Sequence, residues 1–249
     1  MRKLGIATLV VIMLLLPFMA SAEEKSIEVG GVDWQTYAYE KDGVMKGFAY
    51  KIVKDVLERA GVSFKYKIYP WVRAYDNGLK KKNFLLVGVG RTPKREKLFH
   101  WVGAVAKGSD IYFYKSKSNP IQIDSIEDAR QYKVGVERAS YYYDFLVLNG
   151  FKKENIHIVT RPSQYMKMLI ADRLPLILLD ESRLSIEAEK VKLAPNSFEK
   201  ALFAFNVTEN MAFSKTTPLN LVEKVRNAYQ ELVREGKIRT VLVSILEEE

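Results

Sequence analysis

The hydrophobic and polar positions of this chain follow two alternating patterns. In residues 48–60 the apolar side chains recur at the spacing of one helical face and Gly61 follows, which predicts an amphipathic helix ending there. Residues 84–89 form a continuous apolar run, the pattern of a buried strand. The same criteria predict strands at 26–32, 64–68, 84–89, 111–114, 132–136, 156–159, 176–179 and 211–214. The predicted helices are 48–60, 71–80, 140–148, 163–172, 181–190, 221–233 and 238–246.

The predicted strands and helices alternate in two consecutive series with no flexible linker between them. This order predicts an α/β fold of two lobes, each a mainly parallel sheet flanked by helices, facing each other across a cleft. Ligands of such sheets bind beyond the carboxyl ends of the strands. The polar segments that follow predicted strands are Asp33-Trp34, Gly88–Arg95, Glu137–Tyr141 and Asp180.

The segment LLVGVGRTPKREKLFHWVG at 85–103 carries the most informative local signal. Thr92 can cap the free N–H groups of a helix, and Pro93 suits its first position because no N–H is needed there. We therefore predict a helix that begins at Thr92, with Arg95 in its first turn. A helix N-terminus beside a guanidinium receives a carboxylate well. The segment thus indicates capture of a small anionic or zwitterionic solute.

The first 22 residues indicate export. Arg2 and Lys3 precede an apolar run at 9–16, and Ala20-Ser21-Ala22 offers small residues for cleavage, the pattern of a secretory signal peptide. The apolar run is short for a membrane-spanning helix, which is the alternative. We expect residues 1–22 to be removed and the remaining chain to be soluble in the periplasm.

The composition excludes several classes of function. The chain has no cysteine, which excludes disulfides, a thiol nucleophile, thiolate metal sites and a lipidated N-terminal cysteine. His100 and His157 are its two histidines, too few to indicate a metal site, so we expect no cofactor. The formal charge of +9 is dispersed along the chain, and in an exported protein it indicates solvated surface rather than nucleic-acid binding. We expect a monomer.

Four motifs in a fixed order resemble those of the family 3 bacterial extracellular solute-binding proteins, the polar-amino-acid-binding members of the type II periplasmic binding proteins. They are GFAYKIVKDVLERAG at 47–61, VGVGRTPKREKLFHWVG at 87–103, VGVERASYYYDFL at 134–146 and ADRLPLILLDES at 171–182. The resemblance covers essentially all of the chain after residue 22. It implies a clamshell with two crossover strands, in which lobe one is 23–106 plus 210–249 and lobe two is the inserted 107–209.

The resemblance also implies the contacts that lobe one makes with a ligand. The family's carboxylate-binding arginine falls on Arg95. Its nearby hydroxyl or backbone contacts fall on Gly88, Gly90 and Thr92. Serine or threonine is usual where this chain has the two glycines, so hydroxyl contacts are lost there.

The remaining implied contacts follow the first strand and the strands of lobe two. Ser140 matches a lobe-two contact, and the bulky Tyr141 stands where small hydroxyl residues are usual. The acid that receives the ligand's ammonium group falls on Asp180, although a cap on the helix at 181–190 is the alternative. An acidic or aromatic position falls on Asp33. The aromatic candidates for stacking on a solute are Trp34, Tyr37, Trp71 and Tyr141.

The leading hypothesis is a periplasmic protein that captures a carboxylate-bearing solute, an amino acid or related compound, and delivers it to an ABC permease or signals to a membrane receptor. An enzyme of the cyclohexadienyl dehydratase type is the alternative, because the resemblance includes such enzymes. Its acid catalyst would be Asp33, Glu137 or Asp180, with a pKa raised by burial. A sensory module that has lost its solute is the third hypothesis.

Overall fold

The computed structural model describes residues 26–34 and 36–238, which form seven α-helices and twelve strands. The predicted signal peptide and the predicted helix at 238–246 lie outside the described residues, apart from Ile238. The helices are α1 Phe48–Arg59, α2 Trp71–Lys80, α3 Ile126–Ala129, α4 Tyr141–Leu148, α5 Pro162–Ile170, α6 Glu181–Lys190 and α7 Leu219–Arg234. The strands are β1 Ile27–Gly31, β2 Tyr39–Lys41, β3 Val44–Lys46, β4 Phe64–Ile68, β5 Phe84–Gly90, β6 Phe99–Ala104, β7 Ser109–Ser116, β8 Val134–Glu137, β9 Ile156–Val159, β10 Leu176–Asp180, β11 Phe198–Val207 and β12 Glu209–Ser214.

Two five-stranded sheets organise the chain. The first sheet has the order β4-β1-β5-β12-β6 and the second the order β11-β7-β10-β8-β9, while β2 and β3 form a small hairpin. This confirms the predicted α/β fold of two helix-flanked sheets. The sheets are mixed rather than mainly parallel, because in each of them two pairings are parallel and two are antiparallel. The antiparallel pairings involve the strands that lead into and out of the second sheet.

The chain passes between the sheets twice. Residues 105–108 lead from β6 in the first sheet to β7 in the second, and Thr208 alone separates β11 in the second from β12 in the first. The Val105 N–H donates to the Glu209 carbonyl at 2.9 Å, which ties the two crossings together. The second sheet is therefore an insertion between β6 and β12. The lobe boundaries predicted at 106/107 and 209/210 lie within two residues of these crossings and remain predictions.

Each sheet has its own apolar core. The faces of α1 and α7 pack on one side of the first sheet with Ile52, Val56 and Val225 fully buried, and α2 covers the other side. A separate core forms around the second sheet beneath α4, α5 and α6. The predicted bounds of α2, α6, β4 and β9 match the structure, since period and stop signals are local properties of these segments.

The helix predicted to begin at Thr92 is wrong. Residues after β5 form a turn, in which the Arg95 N–H donates to the Thr92 carbonyl at 2.9 Å, and then a single 3₁₀ turn at Glu96–Leu98. The chain must re-enter the sheet as β6 at Phe99, and the Trp101 indole donates to the Glu96 carbonyl at 2.9 Å. This short return leaves no room for an α-helix.

Strands β6 and β11 were not predicted, and two register shifts in β11 explain why its apolar residues do not alternate.

Close packing of α7 on β6 gives a test of the first core. Gly103 lies directly beneath the Tyr229 ring, and a methyl group there would overlap the ring carbons. We expect Gly103→Ala to lower the free energy of unfolding by about 1–3 kcal/mol through overpacking, measured by urea denaturation. In a Tyr229→Ala background the same change should cost far less, since the ring is gone. Equal costs in both backgrounds would contradict this packing.

Candidate functional site

A cavity lies between the two sheets, where the chain leaves β1, β5 and β8. Its empty space is about 390 Å³, counting the part open to solvent. Both sheets and their adjoining helices contribute to its walls. The lining residues are Val32, Trp34, Trp71, Gly88, Glu137, Ser140, Tyr141, Tyr142, Arg183 and Glu209.

Aromatic rings form much of the cavity wall. Trp34 stacks on Tyr37 with ring centroids 3.8 Å apart, and Tyr37 in turn packs on Phe48 at the start of α1. The buried Trp34 Nε1 donates to no described residue. On the opposite wall Tyr141 packs against Tyr142 at 4.4 Å. Such walls suit a solute with an apolar body and leave an indole N–H free for a polar group.

Arg183, in the first turn of α6, places a guanidinium in the cavity. It lies over the Trp34 ring at 5.4 Å and near two carboxylates, Glu137 at 3.6 Å and Glu187 at 3.4 Å. Both contacts are longer than an ordinary charge-assisted hydrogen bond, and Arg183 Nε has no hydrogen-bond partner among the described residues. Burial works to lower the pKa of Arg183, but the nearby carboxylates, Glu137 foremost, raise it, so the group stays charged. Burial also raises the pKa of Glu137.

Glu209, the first residue of β12, places a carboxyl group in the same cavity. The residue is only 4% exposed, and the Tyr141 hydroxyl donates to its Oε1 at 3.4 Å. Its Oε2 is buried and accepts no hydrogen bond from any described residue. Burial, and after it the charge of Asp180, raises the pKa of Glu209 well above its usual range. Burial therefore disfavours the charged form of this carboxyl group.

A set of polar contacts crosses between the first sheet and α4 beside the cavity. Arg95 is 1% exposed, and its Nε and Nη2 donate to Asp144 Oδ2, both at 3.1 Å. Lys94 donates to the other oxygen of Asp144 at 2.6 Å. The Ala139 carbonyl accepts from Arg95 Nη2 at 3.0 Å and from the Trp71 indole at 3.1 Å. We call this set of five residues the cross-gap contacts.

The sequence places this architecture in a family. The model of the bacterial extracellular solute-binding proteins, family 3, matches residues 28–244. The chain belongs to this family. The resemblance carried by the four motifs is thereby confirmed. No curated protein sequence matches the chain significantly.

Solved structures share the fold of this family 3 protein at low sequence identity. A histidine kinase sensor domain with similarity to periplasmic binding proteins is 14% identical over 88% of this chain and 95% of its own, with a TM-score of 0.75. The arginine-, lysine-, histidine-binding protein ArtJ from Geobacillus stearothermophilus is 18% identical over 87% and 93%, at 0.69. The ancestral amino-acid-binding protein AncCDT-1, a precursor of cyclohexadienyl dehydratase, is 16% identical over 89% and 95%, at 0.66.

Five of the residues predicted for the site line the cavity of this solute-binding protein. They are Trp34, Trp71, Gly88, Ser140 and Tyr141. Ser140 caps α4, since its hydroxyl accepts from the Tyr143 N–H at 3.2 Å and donates to the Glu137 carbonyl at 2.7 Å. That these residues bind a ligand remains a prediction.

The other six predicted residues lie around the cavity without lining it. Asp33 is exposed, Tyr37 supports Trp34 from behind, and Thr92 has a buried hydroxyl with no described partner. Gly90 lies beneath the Tyr141 ring, since a Cβ there would be 2.5 Å from its Cδ1. Arg95 faces Asp144, as described above.

Asp180 is the sixth of these residues, and its observed role is the helix cap given above as the alternative. It caps α6: Oδ1 accepts from the Arg183 N–H at 2.9 Å and the Ser182 hydroxyl at 2.7 Å, and Oδ2 from the Tyr142 hydroxyl at 3.2 Å.

Sequence reasoning missed Arg183 and Glu209 as site residues. Arg183 could have been found, because it lies in the first turn of the helix after β10, where strand-end logic already selected Asp180. Glu209 shows no local signal, since its burial depends on where the chain crosses between the sheets. Among the described residues no group of three or more histidines or acids could hold a metal ion. No described helix combines the length and apolarity needed to cross a membrane.

The cross-gap contacts depend on Asp144. We expect Asp144→Asn to weaken closure between the sheets by on the order of 3 kcal/mol, because the buried Arg95 charge then loses its counter-charge. Opening of the gap between the sheets would expose the unpaired Arg95 charge to water. The radius of gyration from small-angle X-ray scattering should therefore rise. Lys94→Met is the control, since Lys94 is 45% exposed at its side chain and its loss leaves the Arg95 pair intact. An Asp144→Asn protein with unchanged scattering would contradict this role.

The raised pKa of Glu209 predicts a pH-dependent cost in stability. The folded protein holds this proton more tightly than the unfolded chain, so stability falls as the pH rises from about 4.5 through the raised pKa. We expect Glu209→Gln, which cannot ionise, to remove this part of the slope and to be more stable than the unsubstituted protein at neutral pH. Urea unfolding between pH 4.5 and 8 measures it. Glu199→Gln, at an exposed position of β11, is the control that should leave the slope unchanged.

Proposed function

We propose that this chain is a periplasmic solute-binding protein, exported by residues 1–22, that captures a small carboxylate-bearing solute between its two lobes. The solute is an amino acid or a related compound, and the protein hands it to an ABC permease. The observation that carries the proposal is a cavity between two sheets into which both contribute aromatic rings and in which a guanidinium, that of Arg183, lacks close partners.

Arg183 is the anchor that best suits the carboxylate. Its Nε lacks a hydrogen-bond partner, its acidic neighbours stand at 3.4 and 3.6 Å, and the Trp34 Nε1 beside it lacks an acceptor among the described residues. A solute carboxylate would satisfy both donors, and charge-assisted hydrogen bonds of this kind are worth about 1.5–3 kcal/mol each. Arg95, to which the sequence pointed, has two of its nitrogens on Asp144 and acts through closure in this proposal.

The titration of purified protein against the twenty amino acids and a panel of organic acids tests this function. We expect Arg183→Lys to weaken binding of the solute that emerges by about 10- to 100-fold, because lysine cannot reproduce the planar fork. Arg173→Lys is the control, since Arg173 is exposed after α5. Thermal unfolding shows whether each variant folds. Full affinity in Arg183→Lys would contradict the anchor, and no binding in the whole panel would contradict the function.

A dehydratase is the second candidate, because one observation favours it. Glu209 is a buried carboxyl group with a tyrosine hydroxyl beside it, and burial raises its pKa, which is the direction that favours a general acid. Asp33, which the sequence offered as the acid, is exposed and outside the cavity lining. Conversion of prephenate to phenylpyruvate, or of arogenate to phenylalanine, with loss of water and carbon dioxide by the purified protein would establish this activity, and its abolition in Glu209→Gln would assign the acid.

A further inference from the structure

The buried carboxyl group of Glu209 is a polar group that the protein itself leaves unsatisfied. Oε1 has one long contact, with the Tyr141 hydroxyl at 3.4 Å, and Oε2 has none among the described residues. A buried acceptor without a partner costs about 1–3 kcal/mol, and more when it is charged. Because Glu209 lines the cavity, a donor that enters the cavity can remove this cost.

Gly88 lies next to the Oε2 atom of Glu209. A Cβ at position 88 would lie 3.7 Å from Oε2, in ordinary van der Waals contact, and both residues line the cavity. The backbone of Gly88 has a φ of 78°, which side chains rarely adopt. A glycine at this position therefore leaves the space beside Oε2 free of a side chain.

Asp180, the acid to which the resemblance assigned the solute's ammonium group, is already occupied. Its two oxygens accept three hydrogen bonds from Ser182, Arg183 and Tyr142, and it is absent from the cavity lining. Its charge nevertheless reaches Glu209 and raises the pKa of that group. Asp180 thus favours a cation at Glu209 without contacting it.

Charged and polar groups on the elements around Glu209 determine whether a negative charge on its carboxyl group is favoured. Asp180 at the end of β10 opposes a second negative charge, whereas Arg183 of α6 and Arg95 after β5 favour it, and Tyr141 of α4 donates to it. Arg95 is already paired with Asp144, and Arg183 lies between Glu137 and Glu187. Glu209 is therefore the acid of this group that has neither a basic partner nor a hydrogen bond to its Oε2 among the described residues. A cationic hydrogen-bond donor would neutralise its charge.

The chemistry of the surroundings selects an organic ammonium group over a metal ion. Hard cations need six or more oxygen ligands, and the described residues hold no cluster of acids able to supply them. The walls near Glu209 are instead the rings of Trp34, Trp71 and Tyr141, which favour an ammonium group on an apolar stem. We propose that Glu209, beside Gly88, is the receptor for a primary ammonium group of the solute, so that the cavity takes amines and amino acids and rejects carboxylic acids that lack an amine.

This proposal rests on the proposed function, because it assigns one end of the solute that the cavity captures. The probes are sets of three: an amino acid, the amine that lacks its carboxylate and the acid that lacks its amine. L-Arginine, agmatine and 5-guanidinopentanoate form one set. L-Tyrosine, tyramine and 3-(4-hydroxyphenyl)propanoate form a second, and L-ornithine, putrescine and 5-aminopentanoate form a third in which every member keeps an amine.

Titration calorimetry at pH 7.5 measures the binding of each probe to the purified protein. We expect at least one amino acid or amine to bind and its amine-free acid to bind at least 100-fold more weakly. Glu209→Gln should lose at least 100-fold in affinity for the amine-bearing probe, while Glu199→Gln keeps it. Thermal unfolding shows whether Glu209→Gln folds.

Each other outcome overturns a stated part of the scheme. Tight binding of an amine-free acid, or unchanged amine affinity in Glu209→Gln, overturns the ammonium receptor and leaves solute capture intact. Absence of binding for every probe and for the wider amino-acid panel overturns both.

Discussion

The Asp144 carboxylate, shared by Lys94 and Arg95 across the gap between the sheets, sets the electrostatics of the whole site. Arg95 is almost completely buried, and a buried guanidinium is tolerated only with a counter-charge. Asp144 supplies that charge from α4, so the arginine is neutralised by the protein itself. The charged or ionisable side chains that line the cavity itself are those of Glu137, Arg183 and Glu209.

Two departures from the expected family pattern can each be explained by the residue that lies opposite. Tyr141 is large where small hydroxyl residues are usual, and its ring fits because Gly90 opposite has no side chain. Gly88 stands beside Glu209 in the same way, since a Cβ there would lie 3.7 Å from Oε2. In both pairs a glycine of β5 faces a larger or charged side chain from elsewhere, Tyr141 on α4 and Glu209 on β12. Such compensation is expected where packing density is conserved but the solute differs.

The elements could be predicted where local signals decide them. Apolar periodicity and a following glycine suffice for α1, and α6 begins at the aspartate that caps it. The same kind of local signal failed at Thr92, because the short return to β6 overrode the cap and proline pattern. The local sequence gives a segment its propensity for helix or strand. The number of residues available for a helix is set by where the chain must pair again with the sheet.

The site was predictable only in part, for a related reason. Strand-end logic and the resemblance led to Trp34, Gly88 and Tyr141, because positions at the carboxyl ends of strands converge whatever the rest of the chain does. Glu209 could not be found this way, since nothing in its neighbourhood marks it as buried. Its burial arises from the crossing at Thr208, which brings β12 beside β5 and under α4.

A buried and unpaired carboxyl group is unusual enough to require a reason within the molecule. A glutamine at the same position would keep the contact with Tyr141 without the cost of a charge in a low-dielectric site. Packing therefore does not explain why glutamate stands there, and neither does the ion-pair network, whose bonds to Glu209 are absent among the described residues. Groups that lower the stability of the free protein are expected at positions where something else binds. Glu209 and Gly88 both line the cavity, so a partner for Oε2 would come from that side.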